Sequence, residues 1–166
     1  MLRLGLSVAA LVVALDQASK WWIERLFRPE GVTETPFFAA TRHQITAFFD
    51  LVMAWNRGVS FGIFNQAGPW NAIALSALSA IIVAVLLAWM RKASSRWIGV
   101  ALGLIVGGAL GNVIDRIRFG AVADFLDVHV GAWHWPAFNL ADSAITIGAT
   151  LLVLDSLFAR RTSSKN

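Results

Sequence analysis

Four stretches of this 166-residue chain stay apolar for about as long as a helix needs to cross a bilayer, and no other feature narrows its fold as much. At a rise of about 1.5 Å per residue, a hydrocarbon core of about 30 Å takes roughly 20 residues. The windows run over 4–23, 70–90, 97–114 and 138–158. Composition agrees: the chain is 57% hydrophobic and 14% charged, against roughly 25% charged residues in soluble domains. The expected fold is an all-α integral membrane protein with four transmembrane helices, in one membrane-embedded domain over 1–166. The first window also has a secretory leader's layout, Arg3 followed by an apolar run from Leu4 to Leu15. Its polar patch Asp16 to Lys20 leads into Trp21 and Trp22 rather than a small-residue cleavage site, so it reads as a retained span.

Seven of the eight tryptophans (Trp21, Trp22, Trp70, Trp89, Trp97, Trp133, Trp135) fall at or near window ends, where indole rings anchor at the headgroups. Segments 1–3, 91–96 and 159–166 are short and hold seven basic side chains, whereas the much longer 24–69 and 115–137 hold six. Positive-inside places both termini and the 91–96 loop in the cytoplasm, with the two longer connections outside. The formal charge of +4 therefore marks orientation. No basic run exceeds Arg91-Lys92 or Arg160-Arg161, so no nucleic-acid partner is expected. Cysteine is absent, which excludes disulfides, thiolate nucleophiles and cysteine-ligated metals.

The outer connections carry strand patterns. From Ile45 the residues Ile45, Ala47, Phe49, Leu51, Met53 and Trp55 alternate on one face, a Gly-containing turn follows at Asn56-Arg57-Gly58, and Val59 to Phe64 forms a second apolar run. This predicts a β-hairpin within about 43–65. Over 122–130, Val122, Asp124, Leu126, Val128 and Val130 share one side, while Ala123, Phe125, Asp127 and His129 take the other, which water could reach. A small extracytoplasmic β-cradle on the outer bilayer surface is expected.

Gly103, Gly107 and Gly111 recur every four residues in the third window and open one side of that helix to close packing. The string Gly107-Gly108-Ala109-Leu110-Gly111 lacks the preceding strand and Lys-Ser/Thr ending of a phosphate loop.

Polar side chains at membrane depth are costly and mark candidate function. Asp16 and Lys20, spaced i, i+4 with the acid first, suit an intrahelical salt bridge that supports a site. Asn112 and Arg116 share a face where the third window leaves the membrane, with Asp115 on the neighbouring face. Asp124 is the one carboxylate on an apolar strand face and is the strongest anomaly. Asp142, three residues after Asn139, reads as the acid of a capping box at the start of the fourth helix. Two carboxylates at one membrane border also suggest an aspartic dyad, in which one acts as base, the other as acid, and water is the nucleophile. A Ser19-Lys20 dyad is the rival, but adjacent helical side chains diverge by about 100°. A metal site from Asp124, Asp127, His129 and His134 is opposed by the strand's two faces, so no metal and no cofactor are expected. Outside the enzymes, a small transporter or channel could use the same polar residues, although no inverted repeat is visible in the chain.

Five linked motifs carry a family resemblance. They are Asp16-Gln17-Ala18-Ser19-Lys20, Asn56-Arg57-Gly58-Val59-Ser60-Phe61-Gly62, Gly107 through Arg116, Val122-Ala123-Asp124-Phe125, and Trp135 through Asp142. In order and spacing they resemble lipoprotein signal peptidase, also called signal peptidase II. The resemblance implies an aspartic endopeptidase of the bacterial inner membrane that removes the signal peptide of prolipoproteins, cutting before a cysteine already carrying diacylglycerol. It implies Asp124 and Asp142 as the catalytic pair, with Asn56, Asn112, Arg116 and Asn139 lining the substrate site and Asp16 and Lys20 supporting the fold. Asp115 joins the supporting group. Partners would be diacylglyceryl-modified prolipoproteins and membrane lipids, with the chain acting as a monomer. Within the dyad the helix N-terminus favours an ionised Asp142, while the apolar neighbours of Asp124 favour its neutral form.

Overall fold

The computed structural model describes residues 1–28, 42–58 and 69–163. The elements are α1 (Leu2–Phe27), β1 (Arg42–Gln44), β2 (Phe49–Asn56), α2 (Pro69–Lys92), α3 (Arg96–Phe119), β3 (Val122–Val130), β4 (Trp133–His134) and α4 (Leu140–Ser163). All four helices are long and apolar enough to cross a membrane. The strands form one antiparallel sheet in the order β1-β2-β3-β4. Four spans and a small sheet are thus the architecture expected from the sequence.

The central helix is α3, which packs against α1, α2 and α4 and leads into the sheet. Glycine makes the close approach. A Cβ added at Gly103 or Gly107 would meet the backbone of Gly5 or Ala9 in α1, and one at Gly108 would meet the Ala141 carbonyl of α4. Gly148 of α4 reciprocates against the Ala101 carbonyl, so α3 is held between two helices at backbone distance. Buried Ala9, Val83, Met90, Leu102 and Val106 fill the α1–α2–α3 junction. Much of α2 remains bare, with Ile73, Ile81 and Val85 all exposed, as a helix apolar all round requires of a lipid-facing position.

Helix ends decide where the site lies. Beyond its apolar window α3 continues through Asp115 to Phe119, with Arg116 and Arg118 in the last turn, where cations suit the helix dipole. It stops at Gly120, whose φ of 71° lets its N–H reach the Arg116 carbonyl. The fourth helix starts at Leu140, because Phe138 is tied into the sheet by hydrogen bonds to and from Leu126 of 3.1 and 2.8 Å. Asn139 therefore stands at the junction of sheet and helix.

Two strand readings change. Ile45 and Ala47 lie in the turn between β1 and β2, and β2 begins at Phe49. Within β2, Leu51 pairs with Leu126 but Ala54 pairs with Asp124, so three steps of β2 oppose two of β3. This bulge resets the alternation. The described partners of β2 are β1 and β3, and the expected return arm 59–64 lies outside the described residues.

Asp127 and His129, expected to face water, are buried instead. Register places Asp127 directly opposite buried Asp50, a like-charge pairing that destabilises a sheet unless compensated. Arg42 compensates it, with contacts of 3.2 Å to Asp50 and 3.1 Å to Asp127. His134 adds a 2.9 Å contact to Asp127 and stacks on His129. The candidate metal ligands are thus divided, with Asp124 on the opposite face from Asp127 and His129.

The Gly107→Ala variant tests the packing. In an ordinary helix interior this change gains about 1 kcal/mol. Here the new methyl would lie 2.7 Å from the Ala9 carbonyl oxygen and from Val12 Cβ, so a net loss of about 1–3 kcal/mol is expected. Thermal unfolding in detergent reads it, and an unchanged or raised midpoint contradicts the packing.

Candidate active site

The site grows from three buried charges. Lys20 of α1 is 3% exposed, Asp16 is 0% and Asp115 of α3 is 1%. The Lys20 ammonium makes contacts of 2.8 Å to Asp16 and 2.8 Å to Asp115, and donates to Asn112 Oδ1 at 3.2 Å. Three N–H groups thus meet three acceptors, the condition for burying an ammonium. The expected Asp16–Lys20 pair is present, but it lies inside the protein and Asp115 completes it.

Each carboxylate of this triad also holds a neighbouring element. Asp16 Oδ1 accepts from the Ala141 backbone N–H at 3.0 Å, satisfying a free donor in the first turn of α4. Asp115 Oδ2 accepts from the Ala123 backbone N–H of β3 at 3.2 Å. Gln17 Nε2 donates to Asp115 Oδ1 at 2.9 Å and to the Gly111 carbonyl at 3.3 Å, tying α1 to α3. The sequence reading missed Gln17 as a site residue; a second polar side chain beside Asp16 in an apolar window was its only signal. The Ser19 hydroxyl donates to the Asp16 carbonyl of its own helix at 2.7 Å. It points away from the Lys20 contacts and leaves no Ser-Lys dyad.

Above the triad, Asn139 holds both candidate aspartates. It is fully buried. Its Nδ2 donates to Asp124 Oδ1 at 2.7 Å, and also lies 3.2 Å from Asn112 Oδ1 and 3.3 Å from the Ala123 carbonyl. Its Oδ1 accepts from the Asp142 backbone N–H at 2.9 Å, while its own backbone N–H donates to Asp142 Oδ2 at 3.3 Å. The capping box read from the sequence is therefore real, and it orients the carboxylate rather than using it up.

The other two asparagines complete the frame. Asn112 Nδ2 donates to Asp142 Oδ1 at 2.8 Å. Asn56 Nδ2 donates to Asp124 Oδ2 at 3.1 Å, and its Oδ1 accepts from the Gly58 N–H at 3.1 Å. Asn56 pairs with Val122, so Asp124 is its diagonal neighbour on the same sheet face. Asp124 is 3% exposed and Asp142 half-buried. Burial first, and then the charge of Asp142, push the Asp124 carboxyl up to about 7, against the hydrogen bonds from Asn56 and Asn139 and the charge of Lys20.

Two cavities meet at Asp142. One of about 320 Å³ lies between α2, α3 and α4, with Asn56, Asn112, Arg116 and Asp142 at its polar end and Leu75 and Ile82 among its apolar walls. The other, about 570 Å³, runs past Trp135, Phe138 and Thr146 on the far side of Asp142. Among the described residues Arg116 makes long contacts of 3.5 Å to the Asn112 and Gly58 carbonyls, and it lines the first cavity. All nine residues singled out from the sequence thus lie in one connected region.

Known proteins resemble this chain in sequence and fold. The family described as signal peptidase (SPase) II matches residues 8–158. The chain belongs to the signal peptidase II family. It is 48% identical over 155 residues to the lipoprotein signal peptidase of Methylorubrum extorquens (strain PA1), covering 93% of this chain and 86% of that protein. It is 47% identical over 154 residues to the lipoprotein signal peptidase of Paraburkholderia phymatum, covering 92% and 86%. Among solved structures, a bacterial membrane enzyme determined by the in meso method at 2.3 Å is similar with a TM-score of 0.77 and 29% identity, over 98% of this chain and 91% of that one. A second, at 1.9 Å, gives 0.73 and 30%, with 92% of each chain covered. Family membership makes this a multi-pass membrane peptidase and decides against the transporter alternative.

The raised Asp124 carboxyl predicts a pH effect on stability. An unfolded aspartate ionises near 3.8, whereas this folded one keeps its proton up to about 7. Between these values only the unfolded state releases the proton, so stability falls as pH rises from about 4 to about 7 and then levels. The Asp124→Asn variant should lack this share of the slope. Thermal unfolding in detergent across that range checks it, and identical slopes for both proteins would contradict a buried, proton-retaining Asp124.

Proposed function

We propose that Asp124 and Asp142 form one aspartic catalytic unit that cuts diacylglyceryl-modified prolipoproteins before the lipid-bearing cysteine. The names of the similar proteins support the substrate class. The observation that carries the mechanism is the Asn139 bridge, which bonds one aspartate through its side-chain amide and the other through its backbone and side-chain oxygen.

The two carboxyls are unlike in ways that divide the work. Asp142 borders both cavities, and two N–H donors steady its carboxylate. It removes a proton from water as the oxygen attacks the scissile carbonyl carbon. Asp124 gives its proton to the carbonyl oxygen, producing a neutral tetrahedral diol without a covalent acyl-enzyme. Collapse of the diol breaks the C–N bond. The proton gained by Asp142 goes to the leaving amine, and a diol hydroxyl returns a proton to Asp124. Asn112 and Arg116 border the substrate cavity, Asn56 and Asn139 position the aspartates, and Asp16, Lys20 and Asp115 hold the frame. Every one of these residues comes from one chain, so a monomer suffices.

The enzyme sits in the bacterial inner membrane with both termini cytoplasmic and the dyad near the outer face. The crowding of basic residues in the short segments supports this orientation.

Cleavage of a purified diacylglyceryl-modified precursor tests the dyad. Asp124→Asn and Asp142→Asn should each lower turnover by about a thousandfold or more, and the double variant should be little worse than either, as expected of groups acting as a unit. Near wild-type turnover by folded Asp142→Asn would return that residue to capping alone. Because the chain has no cysteine, Ser94→Cys and Val130→Cys provide single labels for orientation. An impermeant thiol reagent on intact spheroplasts should modify only the cysteine at 130; modification at 94 instead would invert the topology.

A further inference from the structure

At the end of the bundle away from the aspartates, a cavity of about 960 Å³ opens between the beginnings of α1 and α3. Leu2, Leu4, Trp97 and Val100 give it apolar walls, and Arg3 and Arg96 stand on it. The peptidase chemistry uses none of these residues.

We propose that this cavity binds the headgroup of an anionic phospholipid, with Arg3 and Arg96 on the phosphate and the adjoining acyl carbons against Leu4, Trp97 and Val100.

Among the described residues no ion pair compensates the charge at this end. Residues 1–15 and 70–111 contain no aspartate or glutamate, so the first two-thirds of α3 and all of α2 offer neither arginine a partner. Asp155 is the one carboxylate in the later half of α4, and no ion pair joins it to Arg3 or Arg96 among the described residues. The beginning of α3 adds the partial positive charge of a helix N-terminus. Close helix contact fixes the spacing: a Cβ at Gly5 would meet the Gly99 carbonyl and the Met90 side chain, so the two arginine-bearing ends cannot separate freely.

The chemistry selects a lipid rather than a soluble anion. The exposed Trp97 indole marks headgroup depth, and the walls below the guanidiniums are apolar. Basic pockets between spans at the cytoplasmic boundary are suited to anionic headgroups. Two guanidiniums distinguish a phosphodiester carrying net charge from a zwitterionic headgroup, whose own ammonium cancels much of the attraction. The leaflet follows from the proposed orientation, whereas selectivity for the anionic lipid does not depend on the peptidase reading.

Lipid retention by the purified protein, read by native mass spectrometry from mixed phosphatidylglycerol and phosphatidylcholine micelles, tests the site. The wild type should retain phosphatidylglycerol preferentially. The double variant Arg3→Gln/Arg96→Gln should lose about thirtyfold in apparent affinity, the effect of two interfacial cations. Arg91→Gln/Lys92→Gln removes equal charge from the same end and should retain the preference. Equal losses in both double variants would reduce the site to diffuse attraction, and displacement of the lipid by inorganic phosphate would make it a plain anion site; either result overturns the proposal. Should the first double variant fail to fold, the wild type still decides. Spin-labelled phosphatidylglycerol should quench an emission component absent in Trp97→Phe, and equal quenching by spin-labelled phosphatidylcholine would contradict the site.

Discussion

The Lys20 ammonium, held between Asp16 and Asp115 and out of reach of water, is the contact on which the rest of this structure depends. Breaking a buried ion pair by removing one partner costs about 3–5 kcal/mol, because the remaining charge is left uncompensated. Here two carboxylates would be stranded. Their other bonds reach the first turn of α4 and the start of β3, so Lys20 indirectly sets where both Asp142 and Asp124 begin their approach. The same ammonium orients Asn112, whose amide then points its donor at Asp142. A salt bridge within one helix has become the hub of three helices and a strand.

Glycine makes that hub geometrically accessible. At Gly111 an added Cβ would meet the Asp16 carboxylate at 2.5 Å, so the side chain that caps α4 passes directly over α3. At Gly108 the obstacle would be the carbonyl of Ala141, the same residue whose N–H Asp16 holds. The glycine-rich stretch and the polar cluster are therefore two parts of one design: the helices approach closely, and the charges fill the space at the end of that approach. The inequality of the two aspartates follows. Asp124 lies on the sheet behind Asn56 and Asn139, whereas Asp142 stands at a helix start where two cavities meet.

Much of this could be read from the chain, for reasons of scale. A span is a run of about 20 apolar residues, and a capping box is a separation of three; both are local patterns. The packing of Gly103 and Gly107 was visible as spacing, although its partner α1 was not. Asp124 stood out because a carboxylate interrupted an apolar strand face. What escaped depends on register between distant segments. The bulge in β2 moves the alternation begun at Phe49 and places Asp50 opposite Asp127, a pairing made tolerable by Arg42, which contacts both carboxylates, with His134 beside Asp127. Nothing local to 122–130 reveals that Asp127 and His129 are covered. Asn139 was legible as a cap, but its bond to Asp124 spans the turn between sheet and helix and needed the Phe138–Leu126 bridge to be seen.

The proposed mechanism requires one proton on Asp124 and an ionised Asp142 in the resting enzyme. Infrared difference spectroscopy in mildly acidic buffer tests it most directly, by subtracting spectra of the Asp124→Asn and Asp142→Asn variants from that of the resting enzyme. The account predicts that a protonated-carboxyl stretch disappears in Asp124→Asn, while loss of Asp142 removes only a carboxylate band. Loss of the protonated stretch in Asp142→Asn, with its persistence in Asp124→Asn, would contradict the assignment.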